Sequence, residues 1–187
     1  MRRRLRAFWP ALAILIGLIA GAAFTVQAVR SADEAMRMQW LTEARLMTRA
    51  LDWTAVATLH ADPASAAMPG YALVKHQMES LRRVGSQYRF AYLLVRGDDG
   101  VVRFLVDSEE IGSPDYSPPG MAYAEATPAL HALFDRPALM TEGPVEDRWG
   151  VWISALVAQP DDAGQTQAVF GVDVDARNWR AALVRAA

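Results

Sequence analysis

The sequence has no cysteine among its 187 residues, which excludes disulfide bonds, thiol catalysis and zinc sites built from cysteine. It also lacks a glycine-rich phosphate loop, a nucleophile-elbow motif and an HExxH zinc motif. The histidines stand at no metal-ligand spacing; they are His60, His76 and His131. We therefore expect no catalytic domain, no metal and no cofactor in this chain.

Positive charge is scarce in the body of the chain. Four of the 19 basic side chains precede residue 7, so residues 7–187 hold 15 basic side chains against 21 acidic ones. Nucleic-acid binding needs a basic surface that meets the phosphates. The acidic body therefore argues against nucleic acid as a partner.

An uncharged run of 23 residues, Ala7–Val29, follows the basic cap formed by the first arginines. A helix of about 20 apolar residues crosses a bilayer, and the preceding arginines predict a cytoplasmic N-terminus. A signal peptide cleaved after Ala28 is the alternative, although apolar regions of signal peptides usually have about 7–15 residues. We predict that residues 1–30 form an uncleaved single-pass anchor in the inner (cytoplasmic) membrane, with the remaining chain in the periplasm.

Residues 31–60 predict a membrane-proximal helix, capped by Ser31 or Asp33. Apolar residues recur at every third or fourth position; they are Met36, Trp40, Ala44, Met47, Leu51 and Ala55. This stripe could pack on the chain's own domain or pair with a second copy in a homodimer. We expect domain packing over Met47–Leu59 and dimer contact over Ala32–Trp40.

The remaining segment, residues 61–187, begins with a second predicted helix over Tyr71–Arg83 and then changes to a period of two, which predicts strands. Five strands are predicted, at Arg89–Arg96, Val101–Asp107, Ala138–Thr141, Val151–Gln159 and Gln167–Val174. Thr127 caps a short helix, and a terminal helix spans residues 176–187. Since hairpins join most strands, the pattern predicts an α+β domain around a five-stranded antiparallel sheet.

Two stretches rich in proline and acidic residues, Val106–Gly120 and Thr141–Trp152, interrupt this pattern. Proline fixes φ and biases the residue before it to extended conformations, so such segments form stiff loops. We predict that the two stretches form the mouth of a pocket for a small ligand.

Four segments between Leu51 and Trp179 carry a resemblance to a known family: RFAYLLVRGDDGVVRFLVDSE, GSPDYSPPG, TEGPVEDRWGVWISAL and VFGVDVDARNW. In them the chain resembles the extracytoplasmic Cache/PAS-like sensor domains of bacterial histidine kinases and diguanylate cyclases. The resemblance implies a PAS/Cache-like sheet behind a long N-terminal helix, with a pocket beside the loop after the second strand. In that family an output domain usually follows, whereas this sequence contains no kinase, cyclase or methyl-accepting segment. The sequence leaves open whether the chain is part of a larger receptor.

Asp173 is the most informative candidate for ligand binding. Strand alternation places it on one face with Val169 and Gly171, and a carboxylate on a central strand needs a partner. Either a bound molecule supplies an amine or a hydroxyl, or an arginine forms a salt bridge with Asp173. The candidate arginines are Arg89, Arg103 and Arg148.

Other side chains could complete such a site. An arginine can hold a carboxylate through two hydrogen bonds, and a tryptophan can wall an apolar or cationic ligand. The candidate ligand-binding residues are Tyr92, Asp107, Ser108, Tyr116, Arg148, Trp149 and Asp173.

Together these patterns predict the sensing region of a bacterial membrane receptor, which binds a small molecule outside the cell and transmits a helix movement. A membrane-anchored protein-interaction module without a small ligand is the alternative. A third hypothesis is a secreted hydrolase, because acidic side chains at strand ends can perform acid–base chemistry.

Overall fold

The computed structural model describes residues 2–186, with side chains at positions 9–10 and 12–185. Helix α1 (Arg2–Thr48) runs without interruption through the apolar segment and beyond it. Its 47 residues make it about 70 Å long, at about 1.5 Å per residue. Among the described residues, this helix alone is long and apolar enough to cross a membrane. The side chains of the basic cap lie outside the described residues.

The membrane-proximal helix differs from the prediction at both ends. It has no N-cap at Ser31 or Asp33, because α1 continues from the apolar segment. It ends at Thr48 rather than near His60, since the indole N–H of Trp53 donates to the carbonyl of Thr48 (2.8 Å). A short helix, α2 (Trp53–Val56), then begins at the side chain of Asp52, which accepts from the backbone N–H of Ala55 (2.9 Å).

The other elements follow the predicted order. A 3₁₀ helix spans Pro63–Ala67, and the remaining helices are α3 (Pro69–Arg83), α4 (Pro128–Asp135) and α5 (Ala176–Ala186). The strands are β1 (Phe90–Arg96), β2 (Val102–Asp107), β3 (Leu139–Asp147), β4 (Gly150–Pro160) and β5 (Thr166–Asp175). They form one antiparallel sheet in the order β2-β1-β5-β4-β3. The predicted α+β architecture is confirmed.

The prediction that Thr141–Trp152 forms a loop is wrong for most of this stretch, because most of its residues belong to β3 and β4. Strand β3 continues to Asp147 and pairs with β4, which leaves a turn of two residues between the strands. The register shifts between Glu142 and Val145, around Pro144. Because β3 is an edge strand, a proline there does not interrupt the sheet.

Each face of the sheet has its own apolar core. On the central strand β5, Phe170 and Val172 pack with side chains of α1 and α3. Val169 lies on the opposite face, which α4 covers, and Asp173 shares that face. The alternation predicted for β5 is therefore confirmed.

The apolar stripe of α1 packs largely inside the chain's own domain. Trp40 is only 5% exposed and lies against Tyr88 and Trp179, with ring centroids 5.0 and 6.5 Å away. Met47 and Leu51 belong to the same core. Trp40, which we expected at a dimer contact, is therefore a domain-core residue.

A buried ion pair joins α3 to the end of β2. The ammonium group of Lys75, the only lysine of the chain, donates to the side chain and the carbonyl of Asp107, both at 3.0 Å, and to the carbonyl of Glu109. Both charged side chains are less than a tenth exposed. The pair therefore fixes the start of the loop after β2 against the helix layer.

We expect Lys75→Met to lower the free energy of unfolding by about 3–5 kcal/mol, because the substitution leaves the buried carboxylate of Asp107 without its cation. His76→Met is the matched control, since His76 is the next residue of α3 and is exposed. Urea denaturation of the full chain in nanodiscs, followed by tryptophan fluorescence, measures both. Equal losses in the two variants would contradict the structural role of the ion pair.

Candidate functional site

A cavity of about 20 Å³ lies on the sheet face opposite α1 and α3, between β1, β2, β5 and the adjoining loops. This space accommodates about one water molecule. Its walls combine aromatic rings with acidic side chains. The rings are Phe90, Tyr92, Phe104, Tyr123 and Trp149, and the carboxylates are Asp107, Asp115, Asp147 and Asp173.

The aromatic walls come from four different parts of the chain. Strand alternation turns Phe90 and Tyr92 of β1 toward the cavity. The ring of Phe104, on β2, lies 5.4 Å from Tyr123 and 5.8 Å from Trp149, in edge-on arrangements. Tyr123 precedes α4, and Trp149 occupies the turn between β3 and β4. The rings therefore pack on one another as well as on the cavity.

Asp173 lies on the floor of the cavity, near the end of the central strand. It is only 4% exposed, and its carboxylate accepts a hydrogen bond from the hydroxyl of Tyr92 (3.0 Å). Ser154, its cross-strand neighbour on β4, places a second hydroxyl group beside it. Both hydroxyl groups are neutral, so a cation does not compensate the charge of Asp173.

The predicted salt bridge to Asp173 is absent from the described residues, because each candidate arginine has another partner. Arg89 pairs with Glu109 (2.9 Å) and with Asp115. The other two pairs are Arg103 with Asp99 (2.6 Å) and Arg148 with Glu125 (2.8 Å). The salt-bridge alternative for Asp173 is therefore wrong for all three candidate arginines.

The other acidic groups of the cavity have donors of their own. Asp147 closes the β3–β4 turn by accepting from the backbone N–H groups of Trp149 (2.8 Å) and Gly150 (3.0 Å). Asp107 pairs with Lys75, as described above, and Asp115 pairs with Arg89. Asp173 is thus the lining carboxylate that only hydroxyl groups satisfy.

The environment of Asp173 favours its neutral form. Burial raises the pKa of this carboxyl to about 7, and the nearby Asp147 and Glu142 act in the same direction. The neighbouring hydroxyl groups of Ser154 and Tyr92 oppose the rise. Near neutral pH, binding of a cation would therefore shift Asp173 toward its charged form.

Four of the seven predicted site residues line the cavity; they are Tyr92, Asp107, Trp149 and Asp173. The other three contact neighbouring structure instead. The Ser108 hydroxyl accepts from the backbone N–H of Ala91 (3.0 Å), and the Tyr116 hydroxyl is 2.9 Å from that of Tyr71. The guanidinium of Arg148 lies 5.0 Å from the ring centre of Trp149 while it pairs with Glu125.

Sequence reasoning missed three of the aromatic walls, namely Phe90, Phe104 and Tyr123. The signal for Phe90 was available, because it lies two residues before Tyr92 on the same strand and so shares its face. Phe104 was harder to place, since the β1–β2 register shifts between Leu93 and Leu94. No strand pattern covers Tyr123.

No protein-family model and no curated protein sequence matches the chain. Its fold is similar to the solved ligand-binding domain of the Campylobacter jejuni chemoreceptor Tlp3. For the complex with 4-methylisoleucine, the TM-score is 0.54 at 12% identity, over 81% of this chain and 56% of that chain. For the complex with L-valine, it is 0.53 at 13% identity, over 84% and 59%. The chain therefore shares the fold of a sensory domain and spans a little more than half of its length.

We expect the free energy of unfolding of the wild-type chain to fall as pH rises from about 4 to about 7, because folded Asp173 keeps a proton that the unfolded chain has released. Asp173→Asn should remove this component and should be more stable relative to wild type at about pH 8 than at about pH 5. Urea denaturation of the full chain in nanodiscs at the two pH values tests this. The exposed Asp162→Asn serves as control, and the same pH difference in all three proteins would contradict the assignment.

Proposed function

We propose that the chain is the extracytoplasmic sensing region of a bacterial membrane receptor and binds a small organic molecule in the cavity at Asp173. The observation that carries the proposal is a buried carboxylate without a cation, which faces an aromatic-walled cavity. Such a group calls for a ligand that donates hydrogen bonds. The fold shared with a chemoreceptor's ligand-binding domain supports the same function.

In this proposal α1 anchors the chain in the inner membrane, with its N-terminus in the cytoplasm and the sheet in the periplasm. The exposed, apolar part of α1 and its unbroken continuation into the domain support this arrangement. The arginines before the span support the orientation. The output would be a histidine kinase or a diguanylate cyclase, as the sequence resemblance implies.

Contacts between α1 and the edge strand β3 would transmit the signal. The guanidinium of Arg37 on α1 donates to the carbonyl of Gly143 (3.2 Å) and lies 3.5 Å from the hydroxyl of Thr141. Glu142, between these two residues, pairs across the sheet with Ser154, which in turn is the cross-strand neighbour of Asp173. Ligand binding at Asp173 would therefore bias β3 and, through Arg37, the position of α1.

We also propose a homodimer through the membrane-proximal part of α1. Trp40 is buried in its own domain, so the contact would use the exposed stripe Ala35, Met38 and Leu46. Met38 follows Ala35 by three residues and Leu46 follows Met38 by eight, so all three side chains lie on one side of the helix.

One observation favours a second candidate, a membrane-anchored module that binds another protein and no small ligand. The cavity measures about 20 Å³, which is far below the usual size of ligand pockets, about 300 Å³ or more. Binding of a small ligand therefore requires the walls of the cavity to separate. A module that binds another protein through its surface needs no such separation.

A thermal-shift screen of the full chain in nanodiscs against pools of amines, sugars, organic acids and nucleobases distinguishes the two candidates. A ligand at about 100 times its Kd should stabilise the chain by about 2.7 kcal/mol. The shift should disappear in Asp173→Ala and persist in Asp162→Ala, since Asp162 is exposed and outside the cavity. Absence of any shift across all pools would favour the protein-interaction module.

The membrane orientation can be tested with one introduced thiol, because the chain has no cysteine of its own. Asp162→Cys places it in the exposed β4–β5 turn. We expect a maleimide reagent that cannot cross the inner membrane to label this thiol in intact cells. Labelling that requires lysis would contradict a periplasmic domain. Intact mass of the membrane-bound protein shows in the same sample whether cleavage after Ala28 has occurred.

A further inference from the structure

We infer that the ligand of this cavity is a small organic amine without a carboxylate group, bound as its ammonium ion to Asp173. The inference rests on the proposed sensing function and specifies the chemical class that the site accepts. It depends on which charges line the cavity and on which of them already have partners.

Every charged side chain that lines the described cavity is acidic. There are four aspartates, with no lysine or arginine among the lining residues. Two of these aspartates are paired with cations that are not lining residues: Lys75 with Asp107, and Arg89 with Asp115. A positively charged ligand is therefore attracted into the cavity, and a negatively charged one is repelled.

The ammonium group belongs at Asp173. A carboxylate offers about four acceptor positions, and the hydroxyl group of Tyr92 takes one of them. The remaining positions match the N–H donors of an alkylammonium ion. A ligand hydroxyl would supply a single hydrogen bond and no positive charge, so the buried charge of Asp173 would stay uncompensated.

The aromatic walls suit the rest of such a ligand. Faces of tryptophan, tyrosine and phenylalanine rings attract cations, and their surfaces also cover alkyl groups. Trp149 and Phe90 lie above Asp173 on its own face of the sheet, with their ring centres 6.4 Å apart. Once the walls separate, a short alkyl or arylalkyl chain would lie against these rings while its ammonium group contacts Asp173.

A carboxylate group of the ligand would have no suitable partner in this cavity. Such a group needs a cation or several free N–H donors. The guanidinium of Arg89 is engaged by Glu109 and Asp115, and the backbone N–H of Ser117 donates to Asp107. The Tlp3 domain, by contrast, is solved with L-valine and 4-methylisoleucine, which both carry a carboxylate.

The test compares amino acids with their decarboxylated amines, using isothermal titration of the full chain in nanodiscs at about pH 8. The pairs are isobutylamine with L-valine, butylamine with norvaline, and phenethylamine with L-phenylalanine, and isobutanol is the neutral control. We expect at least one amine to bind at least about tenfold more tightly than its amino acid, and isobutanol to bind more weakly than isobutylamine. Asp173→Asn should weaken amine binding at least about tenfold, whereas Asp162→Asn should keep it.

A second variant tests why amino acids are rejected. Asp115→Asn removes one of the two carboxylates that hold Arg89, and so leaves this guanidinium with Glu109 as its remaining carboxylate partner. We expect this variant to bind L-valine more tightly than wild type does. An unchanged affinity for L-valine would contradict the role assigned to Arg89.

The outcomes separate this inference from the proposed function. Tighter binding of an amino acid or of isobutanol than of any amine would overturn the amine assignment and leave the sensing function in place. Absence of binding by all three amines would overturn it as well. If the thermal-shift screen also finds no ligand of any class, the sensing function fails together with the inference.

Discussion

The ion pair between Lys75 and Asp107 is the contact on which the rest of this structure depends. The ammonium group joins α3 to the end of β2 and also donates to the carbonyl of Glu109. Burial raises the pKa of Asp107, which the backbone N–H of Ser117 and the charge of Lys75 oppose. Because the pair fixes where the loop after β2 begins, it determines how that loop lies over the sheet and closes one side of the cavity.

Asp107 and Asp173 border the same cavity and have opposite electrostatic situations. Asp107 receives its compensating charge from the protein, whereas Asp173 receives only hydroxyl donors. Burial raises the pKa of Asp173 to about 7, so the folded chain holds this carboxyl in its neutral form more readily than an exposed one. The contrast between the two aspartates is the reason that we propose a ligand at the second one.

Local patterns in the sequence predicted the sheet and the faces of its central strand, because alternation depends only on neighbouring residues. The end of α1 could not be predicted in this way, since the apolar spacing continues past Thr48 and the indole of Trp53 ends the helix. The ion-pair partners of the arginines could not be predicted from local patterns either. Arg89 meets Glu109 and Asp115, 20 and 26 residues later in the chain, and only the folded loop brings these groups together.

The small size of the cavity connects ligand entry with the proposed movement of α1. Trp149 closes the cavity from a two-residue turn, which Asp147 at the end of β3 holds in place. A molecule larger than water enters only if a wall of the cavity moves. This turn is one such wall, and its strand β3 also carries the carbonyl of Gly143 that Arg37 of α1 contacts. One edge strand therefore bears both a cover of the cavity and the contact with α1, and this is the route that the proposed signal would take.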